Sequence, residues 1–254
     1  MPYQFATENE DYADFASGRV FYNAPGHPTL PVRLVSEIFQ RCLMLRQQNG
    51  LTELVTIYDP CCGSAYHLST LAYLHWPEIR TILASDIDES VLHTAVRNLN
   101  LLTTTGLQTR AAAIAEMQQK FRKSSHDEAA VSLQKLAGRL ERNLREHDIE
   151  TAVFTADATN SQAISQGVAG QKIDIVLADV PYGQQSNWQS SDDSLAAEKS
   201  LVEPMLTALL PVLSAETVVA IIANKAQKFT HENYRRVDRF QIGKRRVVLL
   251  QKSL

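Results

Sequence analysis

The sequence predicts an α/β protein built on a mostly parallel, Rossmann-like sheet with helices on both faces. Two observations support this fold class. Short β-branched apolar runs alternate with helical segments along the 254-residue chain, and four of the five central runs end in an aspartate. Buried parallel strands are near-continuous apolar runs, and the helices that connect them cover both faces of the sheet. With 44% hydrophobic and 21% charged residues, the composition is that of an ordinary globular protein.

The first 50 residues are predicted to extend the N-terminal side of a single domain that spans residues 1–254. Residues 23–31 are rich in proline and glycine, which is typical of a loop. An amphipathic helix follows, because Val32, Val35 and Ile38 recur at helical spacing. The Asn49-Gly50 pair predicts its C-terminal end.

The strands of the sheet follow as apolar runs, each separated from the next by a turn or a helix. The predicted strands are residues 54–58, 81–85, 151–156, 173–178 and 218–223. One helix is predicted to run through Leu74, a second over residues 90–102 with Asp88 as the N-cap, and a third to end around Leu213. The closing segment predicts two strands joined at Gly243-Lys244. The expected sheet therefore has seven strands, with an antiparallel hairpin at one edge.

Residues 107–148 interrupt this alternation and are predicted to form a helical insert. The connection is far longer than usual between a helix and a strand. Leu133, Leu136, Leu140 and Leu144 form an apolar stripe, with lysine and arginine residues between them. The stripe could simply pack against the rest of the protein, or the insert could be an element that recognises the substrate. Packing is at least as good an explanation, and both interpretations stay open.

Aspartates mark the ends of four predicted strands: Asp59, Asp86, Asp157 and Asp179. In open α/β sheets, ligands bind outside the carboxyl ends of the strands. A single aspartate at such a position is often just a helix N-cap. Four of them in order at one edge predict a shared pocket.

The turn after the first strand, residues 59–65, has a single glycine, Gly63. It lacks both the G-x-G-x-x-G pattern and the G-x-x-x-x-G-K-[ST] loop that let backbone amides approach phosphates. S-adenosylmethionine has no phosphate. The carboxylates could bind its polar groups: Asp59 the ammonium, Asp86 the ribose hydroxyls and Asp157 the adenine amine. The predicted cofactor-binding residues are Asp59, Pro60, Cys61, Gly63, Ser64, Asp86, Ile87, Asp157 and Ala158.

Two segments resemble methyltransferase motifs. Residues 59–65, DPCCGSA, resemble motif I of amino-methyltransferases, commonly D-P-x-C-G-S-G, and residues 179–183, DVPYG, resemble their motif IV, [DN]-P-P-Y. Two departures stand out: Ala65 replaces the usual glycine, and Val180 replaces the first proline. Over nearly the whole chain, including residues 24–41, the insert and residues 242–249, the sequence resembles the avilamycin-resistance 23S rRNA guanine methyltransferase family (AviRa type).

The resemblance implies a class I methyltransferase that transfers a methyl group from S-adenosylmethionine to a guanine of 23S rRNA. Either the exocyclic amine or a ring nitrogen could be the acceptor, and the implied biological role is resistance to the orthosomycin avilamycin. Asp179 and the backbone carbonyl of Val180 or Pro181 are expected to accept hydrogen bonds from the exocyclic amine of the guanine, and Tyr182 to stack on the base. Asp179, Pro181 and Tyr182 are thus the predicted catalytic residues.

A basic tract near the C-terminus is the predicted RNA contact. The formal net charge is −3, yet residues 225–254 contain nine lysines and arginines against only Glu232 and Asp238. Lys244, Arg245 and Arg246 lie at the centre of this tract and are predicted to contact phosphates of 23S rRNA or of the large ribosomal subunit. A merely solvated face would explain the same composition about equally well.

Other properties argue against a membrane, a secreted or a metal-dependent protein. The sequence has no apolar run of membrane-spanning length and no secretory signal at its N-terminus. Three cysteines do not make a disulfide framework, so we expect a cytoplasmic protein. We also expect a monomer. The adjacent Cys61 and Cys62 lack zinc-site spacing, and a cysteine nucleophile is disfavoured because motif IV is of the amine type.

Two alternative functions stay open. The first is an amino-methyltransferase that acts on DNA or on a protein glutamine; the basic tract favours nucleic acid, and no separate target-recognition domain is evident. The second is a non-catalytic RNA-binding protein on the same scaffold, because a fold alone does not determine function.

Overall fold

A computed structural model describes residues 3–8, 10–26, 29–180 and 201–253. Seven strands form one sheet in the order β3-β2-β1-β4-β5-β7-β6. The strands are β1 (Val55–Asp59), β2 (Ile79–Asp86), β3 (Glu150–Thr155), β4 (Ile173–Asp179), β5 (Leu213–Asn224), β6 (Tyr234–Ile242) and β7 (Arg245–Lys252). Strands β1 to β5 pair in parallel, whereas β7 is antiparallel to both of its neighbours. The predicted fold class, with its antiparallel hairpin at one edge, is confirmed.

The sheet is covered on both faces, and its strands alternate between two buried clusters. Ile57, Ile175 and Val247 belong to the cluster on one face, and Tyr58, Val176 and Val248 to the cluster on the other. The first face packs against α1 (Val32–Gln48), α2 (Tyr66–Leu74) and α3 (Glu89–Asn100), and the second against α6 (Ser161–Val168) and α7 (Val202–Leu209). Their burial supplies most of the folding free energy.

Local features of the sequence explain where these elements begin and end. The side chain of Asp88 accepts a hydrogen bond from Ser90 N at 2.9 Å, which makes it the N-cap of α3 as predicted. Gly243 has φ +59°, the left-handed conformation that the turn between β6 and β7 requires. The predictions did not include helix α6, whose eight residues are too few to show a clear apolar period.

The insert is a helical hairpin formed by α4 (Thr104–Phe121) and α5 (Ser124–Asn143), which begins three residues earlier than predicted. Leu136 and Leu140 of the apolar stripe are buried, and Leu133 and Leu144 pack against the same cluster. Helix α5 also contacts the N-terminal segment, where Ser132 Oγ donates to an oxygen of Asp14 at 2.8 Å. The stripe therefore packs against the protein.

No helix in the described ranges has the length and apolar character needed to cross a membrane.

Candidate active site

The four strand-end aspartates lie along one edge of the sheet. Strands β3, β2, β1 and β4 are consecutive neighbours, and Asp157, Asp86, Asp59 and Asp179 stand at or just after their carboxyl ends. Adjacent strands are about 4.8 Å apart, so the row spans about 15 Å. This is the edge at which ligands bind in open α/β sheets.

Cys61 lies among these carboxylates. Burial raises the pKa of its thiol well above the ordinary value, and the charges of Asp59, Asp86, Asp179 and Asp157 raise it further. A thiol in this environment stays protonated, and it is therefore a poor nucleophile. The same four charges favour a cationic ligand at this edge and disfavour a phosphate.

The turn between β1 and α2 is held by two of the aspartates. Asp59 is fully buried, and its Oδ1 accepts a hydrogen bond from Cys61 N at 2.8 Å. Asp86 Oδ2 accepts from Gly63 N at 2.8 Å, and its Oδ1 accepts from Asp88 N at 3.1 Å. The row of carboxylates thus fixes the backbone of the predicted cofactor-binding turn onto β2.

Ala65 is strained by this turn. Its φ is +52°, a conformation that costs a non-glycine residue about 1–2 kcal/mol. This explains why glycine is common at this position of motif I. The alanine methyl group is fully buried, and its neighbour Ser64 is also buried, with its carbonyl oxygen accepting a hydrogen bond from Asn98 Nδ2 at 2.9 Å.

His67 is a site residue that the sequence analysis missed. Its Nε2 lies 2.5 Å from Asp59 Oδ2, and the side chain is almost completely buried in the first turn of α2. Both carboxylate oxygens of Asp59 are therefore engaged by protein groups. The contact depends on how the tight turn aims α2 back at β1, which no local pattern in the sequence indicates.

Asp179 is the carboxylate with the most perturbed environment. Its Oδ1 is buried and has no hydrogen-bond partner among the described residues. Burial and, to a smaller extent, the charge of Asp59 raise the pKa of its carboxyl group, whereas the charges of His67 and Arg245 lower it; the resulting pKa is about 7. A carboxylate with such a pKa can take up a proton at neutral pH, which is the property of a general base.

Val180, which replaces a proline of motif IV, continues the sheet beyond Asp179. It is fully buried, and its N–H donates a hydrogen bond to Ile222 O at 3.0 Å. A proline has no N–H to make this bond. The valine therefore anchors Asp179 to β5 in a way that the usual motif cannot.

Asp157 closes the other end of the row. Its Oδ1 accepts hydrogen bonds from Thr159 N at 2.8 Å and from Thr159 Oγ1 at 2.7 Å. This Asx turn positions Ala158, which is buried, after the end of β3. Among the remaining predicted cofactor-binding residues, Pro60 is buried, while Gly63 and Ile87 are half-buried.

The residues that the structure describes include no group of three or more His, Cys, Asp or Glu side chains that could hold a metal ion. Pro181 and Tyr182, predicted to be catalytic, lie outside the described residues.

Comparison with known proteins assigns the family. The family described as rRNA methyltransferase AviRa matches residues 1–245. The chain belongs to the AviRa rRNA methyltransferase family. A relative from Streptomyces viridochromogenes, named 23S rRNA (guanine(2535)-N(1))-methyltransferase, is 36% identical over 249 residues, which cover 98% of this chain and 95% of the relative.

Solved structures agree with this family. Two structures of the AviRa rRNA methyltransferase from S. viridochromogenes, at 2.4 Å and 1.5 Å, each match with a TM-score of 0.86 and 35% identity. Each match covers 99% of this chain and 96% of the solved chain. This AviRa-family chain is therefore an enzyme that requires a methyl donor.

The predicted RNA-contact triplet of this AviRa-family enzyme is divided between the two faces of the sheet. Lys244 is exposed at the hairpin tip, whereas Arg245 and Arg246 are half-buried. Side chains alternate along a strand, so Arg246 lies on the face of Val248, which α7 partly covers, and Arg245 on the other face. Arg246 Nη1 donates to Gln227 O at 2.8 Å.

Proposed function

We propose that this AviRa-family enzyme transfers a methyl group from S-adenosylmethionine to the N1 atom of a guanine in 23S rRNA. The observation on which the proposal rests is Asp179, whose buried carboxylate has a pKa of about 7 and an Oδ1 without a partner among the described residues. The name of the S. viridochromogenes relative supports N1 as the acceptor and 23S rRNA as the substrate.

The residues present fit this cofactor. S-adenosylmethionine supplies a methyl group activated by a sulfonium, and its net positive charge suits an edge lined by four carboxylates. Asp86 would accept hydrogen bonds from the ribose hydroxyls, since a carboxylate oxygen that accepts one hydrogen bond can accept another, and Ile87 would lie beside the ribose. Asp157 with Ala158 would face the adenine. The turn that contains Pro60, Cys61, Gly63 and Ser64, anchored by Asp59, would face the amino acid end, which Asp59 itself is predicted to contact.

Methylation at N1 requires a base. In its usual form guanine has a hydrogen on N1, and the nitrogen lone pair is delocalised into the ring. The oxygen Oδ1 of Asp179 would take up this proton as N1 gains the methyl group. The bond between the methyl carbon and the sulfonium sulfur would break at the same time, and its electron pair would stay on the sulfur of the departing thioether. The carboxylate of an ordinary aspartate, with a pKa near 3.9, would be a weaker base by about three orders of magnitude. Burial of Asp179 raises the pKa of its carboxyl group and so makes it a stronger base than an ordinary aspartate.

The neighbours of Asp179 orient the base. The N–H bond from Val180 to Ile222 O fixes the backbone, and the carbonyl of Val180 or Pro181 would accept a hydrogen bond from the exocyclic amine of the guanine. Tyr182 would stack on the base, replacing the contacts that the base loses when it leaves its place in the RNA. Lys244, Arg245 and Arg246 would contact the phosphates.

The biological role follows from the family resemblance: methylation of 23S rRNA, alone or in the large subunit, would confer resistance to avilamycin. A resistant phenotype on expression in a sensitive bacterium, lost with Asp179→Asn, is the expected result.

The test is methyl transfer from labelled S-adenosylmethionine to 23S rRNA, with tRNA, DNA and total protein as parallel acceptors. Label in 23S rRNA alone is expected, and Asp179→Asn should lower kcat by about 10²–10⁴-fold. Label in DNA or protein instead would establish one of the alternative amino-methyltransferases. Cofactor binding without transfer to any acceptor, including intact ribosomal subunits, would favour the non-catalytic alternative.

A further inference from the structure

A second cavity lies on the face of the sheet that α7 covers, away from the row of aspartates. It has a volume of about 340 Å³ and is bounded by strands β6 and β7, helix α7 and the loop after β5. Buried apolar groups of Leu206, Tyr234, Val248 and Leu250 are part of its lining. This volume lies within the range of small-ligand sites.

The charged side of the cavity is formed by arginines. Arg236, Arg239 and Arg246 line it, and the latter two also line an adjoining cavity of about 330 Å³. The ion pairs of the described residues include none to these three arginines. Asp238, between two of them in sequence, pairs with Arg41 of α1 at 2.8 Å, on the opposite face. The cavity therefore has a net positive wall.

The lining of the cavity also includes aromatic side chains. His231 packs edge-on against Tyr234, with ring centroids 5.2 Å apart. Both ring nitrogens of His231 are engaged, because Nδ1 accepts from Asn233 N at 3.2 Å and Nε2 lies 2.9 Å from Thr207 Oγ1. Phe229, half-buried, also lines the cavity.

The cavity is close enough to Asp179 to bind another part of the same substrate. Asp179 is in register with Ile222 on β5, which is in register with Val247 on β7, next to Arg246. Two strand spacings amount to about 10 Å. Side chains alternate along a strand, so Asp179 shares the face of Leu177 and Arg246 lies on the other face. An RNA strand that places one base at Asp179 would therefore cross the carboxyl edge of the sheet to place a neighbouring nucleotide in the cavity.

We propose that this cavity binds an unstacked nucleotide of the RNA substrate that flanks the target guanine. The phosphate lies on Arg236, Arg239 and Arg246, and the base lies against Phe229 and His231. Proteins that read single-stranded RNA combine a positively charged groove with aromatic platforms in this manner. The inference builds on the proposed function, since the substrate of that function is RNA.

Binding of 23S rRNA, measured by filter retention over a range of salt concentrations, tests the proposal without requiring methyl transfer. The double variant Arg236→Ala/Arg239→Ala should weaken binding roughly tenfold. Its slope of log affinity against log salt should be shallower by about 0.7, the value for one phosphate contact on single-stranded RNA. Phe229→Ala should weaken binding roughly fivefold or more and leave the slope unchanged, because it removes stacking and no charge.

A matched control removes two positive charges at the amino ends of β2 and β4, the ends opposite the row of aspartates. Arg80 and Lys172 lie near Asp174, with side chains 51% and 55% exposed. Arg80→Ala/Lys172→Ala should leave both the affinity and the salt slope within error of wild type. An equal loss in the control and in the arginine variant would reduce the effect to net charge and would overturn the proposal.

Crosslinking tests whether the base enters the cavity. After ultraviolet crosslinking to 23S rRNA and trypsin digestion, the peptide of residues 229–235, which contains Phe229, His231 and Tyr234, should hold a nucleotide. Base binding in the cavity would be refuted if this peptide held no nucleotide and Phe229→Ala bound RNA as tightly as the wild type. The whole inference would be refuted if the wild type did not bind RNA. RNA binding through the cavity without methyl transfer would instead refute the proposed function and leave this inference standing.

Discussion

Replacing Asp179 by asparagine should inactivate the enzyme and at the same time stabilise the fold at neutral pH. The substitution keeps the shape of the side chain and removes its charge. The pKa of the carboxyl group is raised from 3.8 to about 7 by burial, so the folded state disfavours the charged form. Above pH 7 this gap corresponds to about 4 kcal/mol.

The net gain should be smaller than that figure. The asparagine amide leaves a buried polar group without a partner, which costs about 1–3 kcal/mol. We therefore expect Asp179→Asn to stabilise the protein by about 1–3 kcal/mol at pH 8. For a chain of this size, 1 kcal/mol corresponds to about 2–4 °C in Tm.

The stability difference between the wild type and Asp179→Asn should also depend on pH, with a definite sign. The folded state keeps the Asp179 proton up to about pH 7, whereas the unfolded chain releases it near pH 4. The wild type should therefore lose stability relative to the variant as pH rises from about 4 to about 7, and the difference should be constant above pH 7. His67, Arg245 and Asp59, the charged neighbours of Asp179, are present in both proteins.

Urea unfolding of both proteins at pH 5, 6, 7 and 8 measures this difference directly. A difference in unfolding free energy that does not change with pH would refute the raised pKa. A variant that keeps full methyl transfer would refute the assigned role of Asp179 even if the stability prediction held.

Three further predictions concern neighbouring groups. His67→Ala should lower the free energy of unfolding by about 1–3 kcal/mol, because Asp59 Oδ2 loses its partner; a thermal melt within 1 °C of wild type would contradict this. Asp174→Ala should cost about 3–5 kcal/mol in urea unfolding, since Arg46, paired with it at 2.9 Å, stays buried with its charge uncompensated, and a loss below 1 kcal/mol would refute the ion pair. Val180→Pro should destabilise by about 1–3 kcal/mol by removing the bond to Ile222 O, and unchanged stability would show that this bond contributes nothing.

The parts of the fold that could be predicted are those set by local pattern and a general rule. The apolar runs that end in Asp59, Asp86, Asp157 and Asp179 are visible in the sequence, and the parallel arrangement of strands places their ends together. The Gly243 turn was equally predictable from a glycine between two strand-forming runs.

The contacts that could not be predicted depend on distant segments. The Asp59–His67 pair requires the direction in which α2 leaves its turn. Asn98 of α3 donates to Tyr22 O at 3.0 Å and to Ser64 O, joining three segments far apart in the chain. The raised pKa of Asp179 likewise depends on burial by several elements, and a sequence pattern contains no measure of burial.

The identity of the methylated nucleoside tests the central claim most directly. After reaction with the wild-type enzyme, 23S rRNA is digested to nucleosides and analysed by mass spectrometry against methylated guanosine standards. We expect 1-methylguanosine, at one position, with a rate that rises with pH up to about 7 and then becomes constant as Asp179 loses its proton. N2-methylguanosine, or methylation of a base other than guanine, would contradict the assignment of Asp179 as the base that removes the N1 proton.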